Sequence, residues 1–487
     1  MKRSKHNLSN YKLLTCEMGK LVPVGLQEVL PGDTFQHQTS ALIRVAPLVA
    51  PVMHPVQVRI HHFYIPNRII WDKWENFITG GPDGQNSDTI PQIAISPTST
   101  GKVSDYLGIN PPKNQNVDVN ALPLYAYNAV FNEFYRDQDL VNERAPTTNT
   151  LANIAWGKDY FTTARPWPQK GSAVTIPVGD RAPVRGIGMS GTNYDQEHVA
   201  VHESTGQTES YAHAANADFL KVERGEGDIF NAPNIYADLS QAEAVSVNDF
   251  RKAFALQRYQ EARAMYGSRY SEYLRYLGVR SSDARLHRPE YLGGGKQTIS
   301  FSEVLQTTDD AEGAHNRPLG SMGGHGIAAL RSGRYRRYFE EHGYVLSLMS
   351  VRPKSIYSDG INRLWNRMDK EDFYTKELEL IGQQEILNRE VYADGTVTDY
   401  DTFGYQDRYA EYKHTMSTVA GDFRDTLDYW HMAREFTDHP TLNESFIKCA
   451  PTKRIHASAD TDALWCMVNH SVQARRMVAK KAHSRIL

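Results

Sequence analysis

Apolar and polar positions follow two different periods along this chain, and each period marks an element. Both occur between Ser268 and Thr307. Tyr270, Tyr273, Leu274 and Leu277 recur at three- and four-residue steps, which predicts one face of a helix. Gly278 predicts its stop, because glycine enters the left-handed C-cap without steric penalty. A charged connector follows, SSDARLHRPEY, and then Gly293-Gly294-Gly295, which reads as a flexible hinge. Ile299 and Phe301 next alternate with Thr298, Ser300 and Ser302, as in a strand with one buried face. Elsewhere Val56, Val58 and Ile60 alternate with Gln57, Arg59 and His61, a half-buried strand. Asn67 caps a helix carrying Ile70, Trp74, Phe77 and Ile78 on one stripe, ended at Gly80-Gly81. A second amphipathic helix is predicted from Leu124 to Arg136, with Tyr127, Phe131 and Phe134. In the strand Tyr344–Val351, Tyr344, Leu346 and Leu348 share one face and Val345 and Met349 the other.

Between these elements the periodicity lapses. Residues 80–120 are rich in Gly, Pro and Asn and read as loop. Residues 164–188 are proline-rich and exclude a regular central strand. Residues 189–238 turn polar and read as a surface excursion. RPLGSMGGHG, after Val304, reads as a glycine-rich linker. There is no internal repeat and no βαβ rhythm. The expectation is of strands separated by long, partly helical connections.

Composition narrows the function. With 487 residues, the chain has room for two or three domains or one elaborated domain. A hydrophobic content of 40% is enough for a core. The 54 basic and 57 acidic residues give a net charge of -3, so any nucleic-acid contact must be local. The 27 tyrosines and 23 prolines suit irregular surfaces with large interfaces. Cys16, Cys449 and Cys466 form no CxxC pair, which argues against a disulfide framework or a cysteine zinc site. MKRSKHNLSN lacks the apolar stretch of a signal peptide. The most apolar run, Ala41 to Met53, is broken by Arg44, Pro47 and Pro51 and is not expected to cross a membrane. A soluble protein made in the cytosol is expected.

No catalytic constellation stands out. Gly186, Gly188 and Gly191 spell GxGxxG, but prolines precede them and TNYDQEH follows, so the strand and helix of a dinucleotide site are missing. His61 and His62 on one strand point to opposite faces and cannot easily share an ion. HExxH, GxSxG and the Walker motif are all absent. No enzyme activity, cofactor or metal site is expected. The basic segments say more. Lys2, Arg3 and Lys5 form a basic N-terminal arm. Arg331, Arg334, Arg336 and Arg337 are interleaved with Tyr335 and Tyr338; they read equally well as a salt-bridge set with Glu340 and Glu341. The tail 457–487 carries Arg475, Arg476, Lys480, Lys481 and Arg485, with no acid in its last 25 residues. Cations beside aromatic faces suit single-stranded nucleic acid, through phosphate pairing and base stacking.

The wording of several blocks carries more information than their composition. GVRSSDARLHRPEYLGGGKQTISFSEVLQT, NLSNYKLLTCEMGKLVPVGLQEVLPGDTF and HPVQVRIHHFYIPNRIIWDKWENFITGG resemble the major capsid proteins of the Microviridae, the gokushovirus-type branch in particular. LPLYAYNAVFNEFYRDQDL, DYFTTARPWPQKG, HGYVLSLMSVRP, EILNREVY and FGYQDRYAEYKH extend the resemblance in order. Residues 180–240 and the tail from Ala457 do not share it. The resemblance implies a mainly β fold, an eight-stranded viral jelly roll with long, partly helical insertions, as a single domain over 1–487. It implies sixty copies in a T=1 icosahedral shell around circular single-stranded DNA, synthesised and assembled in the bacterial host cytoplasm. Further partners would be the virion's DNA-binding and pilot proteins and a host surface receptor. The insertion at 181–240 would project at the threefold axes and meet the host. The connector Ser281–Gly295 is expected at a subunit interface, with Arg280, Asp283, Arg285, Arg288 and Tyr291, because its charges are too many to bury without partners. A jelly-roll receptor-binding spike protein and a carbohydrate-active β-sandwich enzyme are the alternatives. The first would show repeats or a stalk and the second a carboxylate pair in a cleft.

Overall fold

In the computed structural model, the described residues are 3–172, 174, five two-residue strands between 184 and 237, 247–267, 269–307 and 319–480. Eleven strands build two antiparallel sheets. In chain order they are β1 (Ser4–Asn7), β2 (Asn10–Cys16), β3 (Leu21–Val29), β4 (Thr34–Val45), β5 (Val56–Pro66), β6 (Glu290–Thr298), β7 (Ser300–Leu305), β8 (Met322–Arg331), β9 (Tyr335–Tyr338), β10 (Gly343–Pro353) and β11 (Leu464–Arg476). Seven form one sheet. Both β1 and β2 pair with β11, the order continues β11-β4-β8-β7, and β9 also pairs with β4. The other four are ordered β6-β5-β10-β3.

Alternation decides which side chains fill the space between the sheets. On β11, Leu464, Cys466, Val468, His470, Val472 and Ala474 are buried, while Trp465, Met467 and Arg475 are exposed. On β4, Phe35, His37, Thr39, Ala41, Ile43 and Val45 turn inward in the same way. Leu464, Cys466, Val468, Ala41, Ile43 and Val45 meet Val22, Val24, Val56, Val58, Ile60 and Met349 from the four-stranded sheet in one apolar cluster. Burial of each Val, Leu, Ile or Met side chain among them stabilises the fold by about 1.5–3 kcal/mol. The chain is therefore mainly β, with two antiparallel sheets facing each other across a shared core.

The far face of the four-stranded sheet is also covered. Phe63, Ile65, Leu346 and Leu348 pack against Leu124, Tyr127 and Val130 of the helix Leu122–Val130. This double cover leaves nearly every residue of β10 buried. The helix runs on as a π-helical turn, Phe131–Tyr135, close to the predicted end at Arg136. The helix predicted from Asn67 is two short ones, Asn67–Ile70 and Trp74–Thr79, the second ended by Gly80 at φ +85°. The helix Tyr270–Tyr276 is followed by Gly278 at φ +79°, as the spacing predicts.

Three sequence readings are corrected. Gly293-Gly294-Gly295 is no hinge but the middle of β6, with a bulge between Tyr291 and Gly293. The supposed linker RPLGSMGGHG runs into β8, which contains Gly323, Gly324 and Gly326. The supposed tail from 457 holds β11, which pairs with β4, β1 and β2. The chain also divides into two compact units, Met1–Lys170 with Arg263–Leu487, and Gly171–Ala262. The expected insertion 181–240 falls in the second unit. Most of it, including Gly186 and Gly191, lies outside the described residues.

Candidate functional site

The basic residues singled out by sequence separate once β-pairing is known. Lys5 on β1 lies directly opposite Arg475 on β11, and both are exposed. Like charges facing each other across strands destabilise a pair, by up to about 1 kcal/mol. An anion laid across them would reverse that sign. Arg3 donates to the Gly32 carbonyl at 3.0 Å and to Thr34 Oγ1 at 3.1 Å, with its guanidinium 5.5 Å from the Tyr338 ring. Lys480 is exposed. Lys2, Lys481 and Arg485 lie outside the described residues.

Arg476 plays another part. It turns inward and binds Asp33 Oδ2 at 2.7 Å and the Glu28 carbonyl at 3.0 Å, over the Phe35 ring. Asp33 is fully buried, so Arg476 is the counter-ion of an interior carboxylate and is not available to a phosphate.

Of the two tyrosines in residues 331–338, Tyr338 is exposed and Tyr335 is not. Tyr335 points into the sandwich and its hydroxyl hydrogen-bonds His37 Nδ1 at 2.9 Å. Arg337 pairs with Glu290 at 2.6 Å and Arg331 donates to Gln38. The salt bridge is real, but its acid is Glu290; Glu341 instead pairs with Arg68 at 2.6 Å. Arg334 and Arg336 remain exposed.

The connector neutralises part of its own charge. Arg288 binds Asp283 through two nitrogens, at 2.5 and 2.7 Å, and lies over Phe134. His287, at φ +50°, accepts from Arg68 at 2.9 Å, which ties the connector to the start of the first insertion, residues 67–289 between β5 and β6. The Tyr291 ring lies 5.5 Å from Phe63 and 5.7 Å from His61. Arg280 and Arg285 stay exposed.

Two clusters carry no sequence motif. His37, Thr39 and His470 meet in the core: His37 Nε2 is 3.2 Å from His470 Nδ1, and Thr39 Oγ1 bridges them. His62 lies alongside, 4.7 Å from His37 ring to ring, held by Ser347 and Ser332. His61 points to the other face and binds the Tyr135 hydroxyl at 2.7 Å, as strand alternation requires. In the second insertion, residues 354–463 between β10 and β11, Asp394, Asp399 and His439 converge. Burial works to raise the Asp399 pKa. Hydrogen bonds from His439 and from the Asp394 and Gly395 amides outweigh it and hold it below the usual carboxylate range. Those bonds engage both Asp399 oxygens, so the cluster fastens a loop. Only inward alternation on β4, β5 and β11 could have signalled the histidines.

Cys16, Cys449 and Cys466 are buried free thiols. Among the described residues no helix is long and apolar enough to cross a membrane.

Comparison with known proteins supplies the context for these surfaces. The family described as Capsid protein (F protein) matches residues 1–484. Capsid protein VP1 of Bdellovibrio phage phiMH2K is 35% identical over 477 residues, spanning 92% of this chain and 88% of the relative. VP1 of Chlamydia phage 1 is 31% identical, over 96% of this chain and 92% of the relative. VP1 of Spiroplasma virus 4 is 30% identical, over 92% and 87%. A match that runs the length of the sandwich and both insertions places the chain in the capsid F protein family of the Microviridae.

Proposed function

We propose that this chain is the major capsid subunit of a T=1 icosahedral shell of sixty copies, enclosing a circular single-stranded DNA genome. Membership of the family implies a structural role, a place in the virion capsid and association with further copies of the chain. The icosahedral form, the DNA, assembly in the host cytoplasm with other virion proteins and contact with a host receptor are our reading.

The observation that carries it is the winding of the strands. β2 pairs with β11, β3 with β10, β4 with β8 and β5 with β6. These pairs are nested, as in one long hairpin rolled into two sheets. We read the eight as a viral jelly roll, with β1, β7 and β9 as added edges. All sizeable additions sit in the connections 67–289 and 354–463, which leaves the sandwich intact and gives the subunit surfaces with which to meet its neighbours. Lys5 and Arg475, opposed and exposed, support DNA contact on the outer face of the seven-stranded sheet, where phosphate would relieve their repulsion. The polar segment 181–240 is our candidate for host contact.

Electron microscopy of the full chain expressed in bacteria, with nuclease digestion of the particles, tests the proposal. Closed shells of uniform size holding nuclease-resistant single-stranded DNA are expected. The double variant Lys5→Glu/Arg475→Glu should form shells that retain less DNA. Trimers or monomers in place of shells would overturn the proposal.

A further inference from the structure

The larger unit carries two exposed surfaces that are both apolar and opposite in charge. The first lies on the second insertion, over residues 361–413. Trp365, Met368, Leu380 and Val397 are 73%, 78%, 92% and 87% exposed. Four large apolar side chains so exposed within one segment mark an interaction surface. The frame beneath them is built. Arg367 lies 4.2 Å from the Tyr412 ring, Arg389 lies 5.2 Å from that of Tyr400, and Arg363 binds the buried Glu390 at 3.0 Å. The segment holds 7 Lys and Arg against 12 Asp and Glu, a net charge of -5. A surface of this sign repels phosphate, so nucleic acid is a poor occupant.

The second surface is the helix Tyr270–Tyr276 with the connector that follows. Tyr270, Tyr276, Leu277 and Val279 are exposed. Residues 269–288 hold five arginines against Glu272 and Asp283, a net charge of +3. Asp283 is already matched by Arg288. Arg275, Arg280 and Arg285 are exposed and enter no ion pair among the described residues.

We infer that these two surfaces meet between copies, the acidic apolar insertion of one subunit receiving the cationic apolar connector of the next. The inference rests on the capsid reading, since only a self-associating chain supplies its own partner. Each surface repels a copy of itself, which disfavours a twofold contact between like patches. Each attracts the other, and a head-to-tail contact of that kind is what closes rings and shells.

Charge reversal in the full-length chain tests it, with association read by sedimentation velocity. Arg275→Glu/Arg280→Glu/Arg285→Glu and, separately, Glu377→Lys/Glu379→Lys should each lower the assembled fraction about tenfold or more, because like charges at a contact cost several kcal/mol. Circular dichroism of the unassembled subunits should be unchanged. Both reversals in one chain should restore assembly. Leu380→Ser, at a side chain already in solvent, is a second variant that should weaken association without touching the fold. Single reversals that assemble like the wild type would remove both surfaces from the contact. Reversals that fail alone and together would mean that the surfaces meet other partners. A wild-type chain that stays monomeric at every concentration would overturn the capsid reading itself.

Discussion

Arg475 and Arg476 are neighbours in the sequence with opposite roles. Alternation on β11 sends Arg475 to solvent and Arg476 to the buried Asp33. A pair of arginines in a chain end free of acids reads as a phosphate-binding tail until the strand is known. The same alternation brings His37, His62 and His470 into the core, and their protonation follows from it. Burial, with His470 beside it, pushes His37 down to about 3. Burial likewise lowers His62 well below its ordinary value, and His470 as well. His54 and His61 fall to about 4, again chiefly through burial. In the unfolded chain each titrates near 6.5. Between these values the unfolded state takes up protons that the folded state refuses. The stability that the histidines confer is therefore present above pH 6.5 and is lost as pH falls below it, at about 1.4 kcal/mol per unit and per histidine. Urea midpoints of the isolated subunit should fall between pH 7.5 and 5.0, and His37→Gln should make that dependence shallower. A midpoint that held level on acidification would show that the histidines are not held neutral.

At the scale of elements, strands with strong contrast between alternate positions were legible and those with glycine were not. Val56, Val58 and Ile60 announce β5 from the sequence alone. β11 hides, because Trp465 and Met467 face out while His470 and Ala474 face in, which erases the apolar contrast on which the period depends. β6 and β8 hide behind their glycines. Gly294, Gly295, Gly324 and Gly326 serve close approach, not flexibility. A Cβ on Gly295 would stand 2.8 Å from Ser332 Cα and 3.0 Å from the Arg331 carbonyl oxygen. At Gly326 it would meet Val45 at 2.6 Å and Phe301 at 3.0 Å. Gly295→Ala should therefore force the strands apart and destabilise the subunit by about 1–3 kcal/mol. Gly157→Ala is the control, since nothing lies within 4 Å of its added carbon. Chemical denaturation of the two variants checks this, and equal stability would mean that β6 has room to shift. The candidate surfaces were less legible than the fold. Arg337 pairs with Glu290 across a sequence distance that no local pattern spans, and the exposed apolar residues of the second insertion look like core until burial is known.

For the whole molecule, the position of the first insertion bears on what its removal would do. Tyr64 at the end of β5 lies opposite Glu290 at the start of β6. The segment 67–289 thus leaves the sandwich and returns to it at the same end of one strand pair. Shortening such a segment need not displace the strands, because its ends are already held together by the sheet. Gly171–Ala262 forms a compact unit of its own. Residues 190–235 within it are polar and rich in Gly, Asn, His, Ser and Glu, a composition that cannot supply the core. Loop-closure entropy also favours the shorter chain, since it grows only slowly with length and a brief flexible bridge meets it. Replacing residues 190–235 by a short Gly-Ser linker should therefore leave subunits that fold and assemble to the same particle yield, while adsorption of the particles to host cells falls. Particle counts by microscopy and a cell-adsorption assay read the two effects separately. Loss of particles would make the segment part of the shell's architecture, and unchanged adsorption would move host contact to another surface.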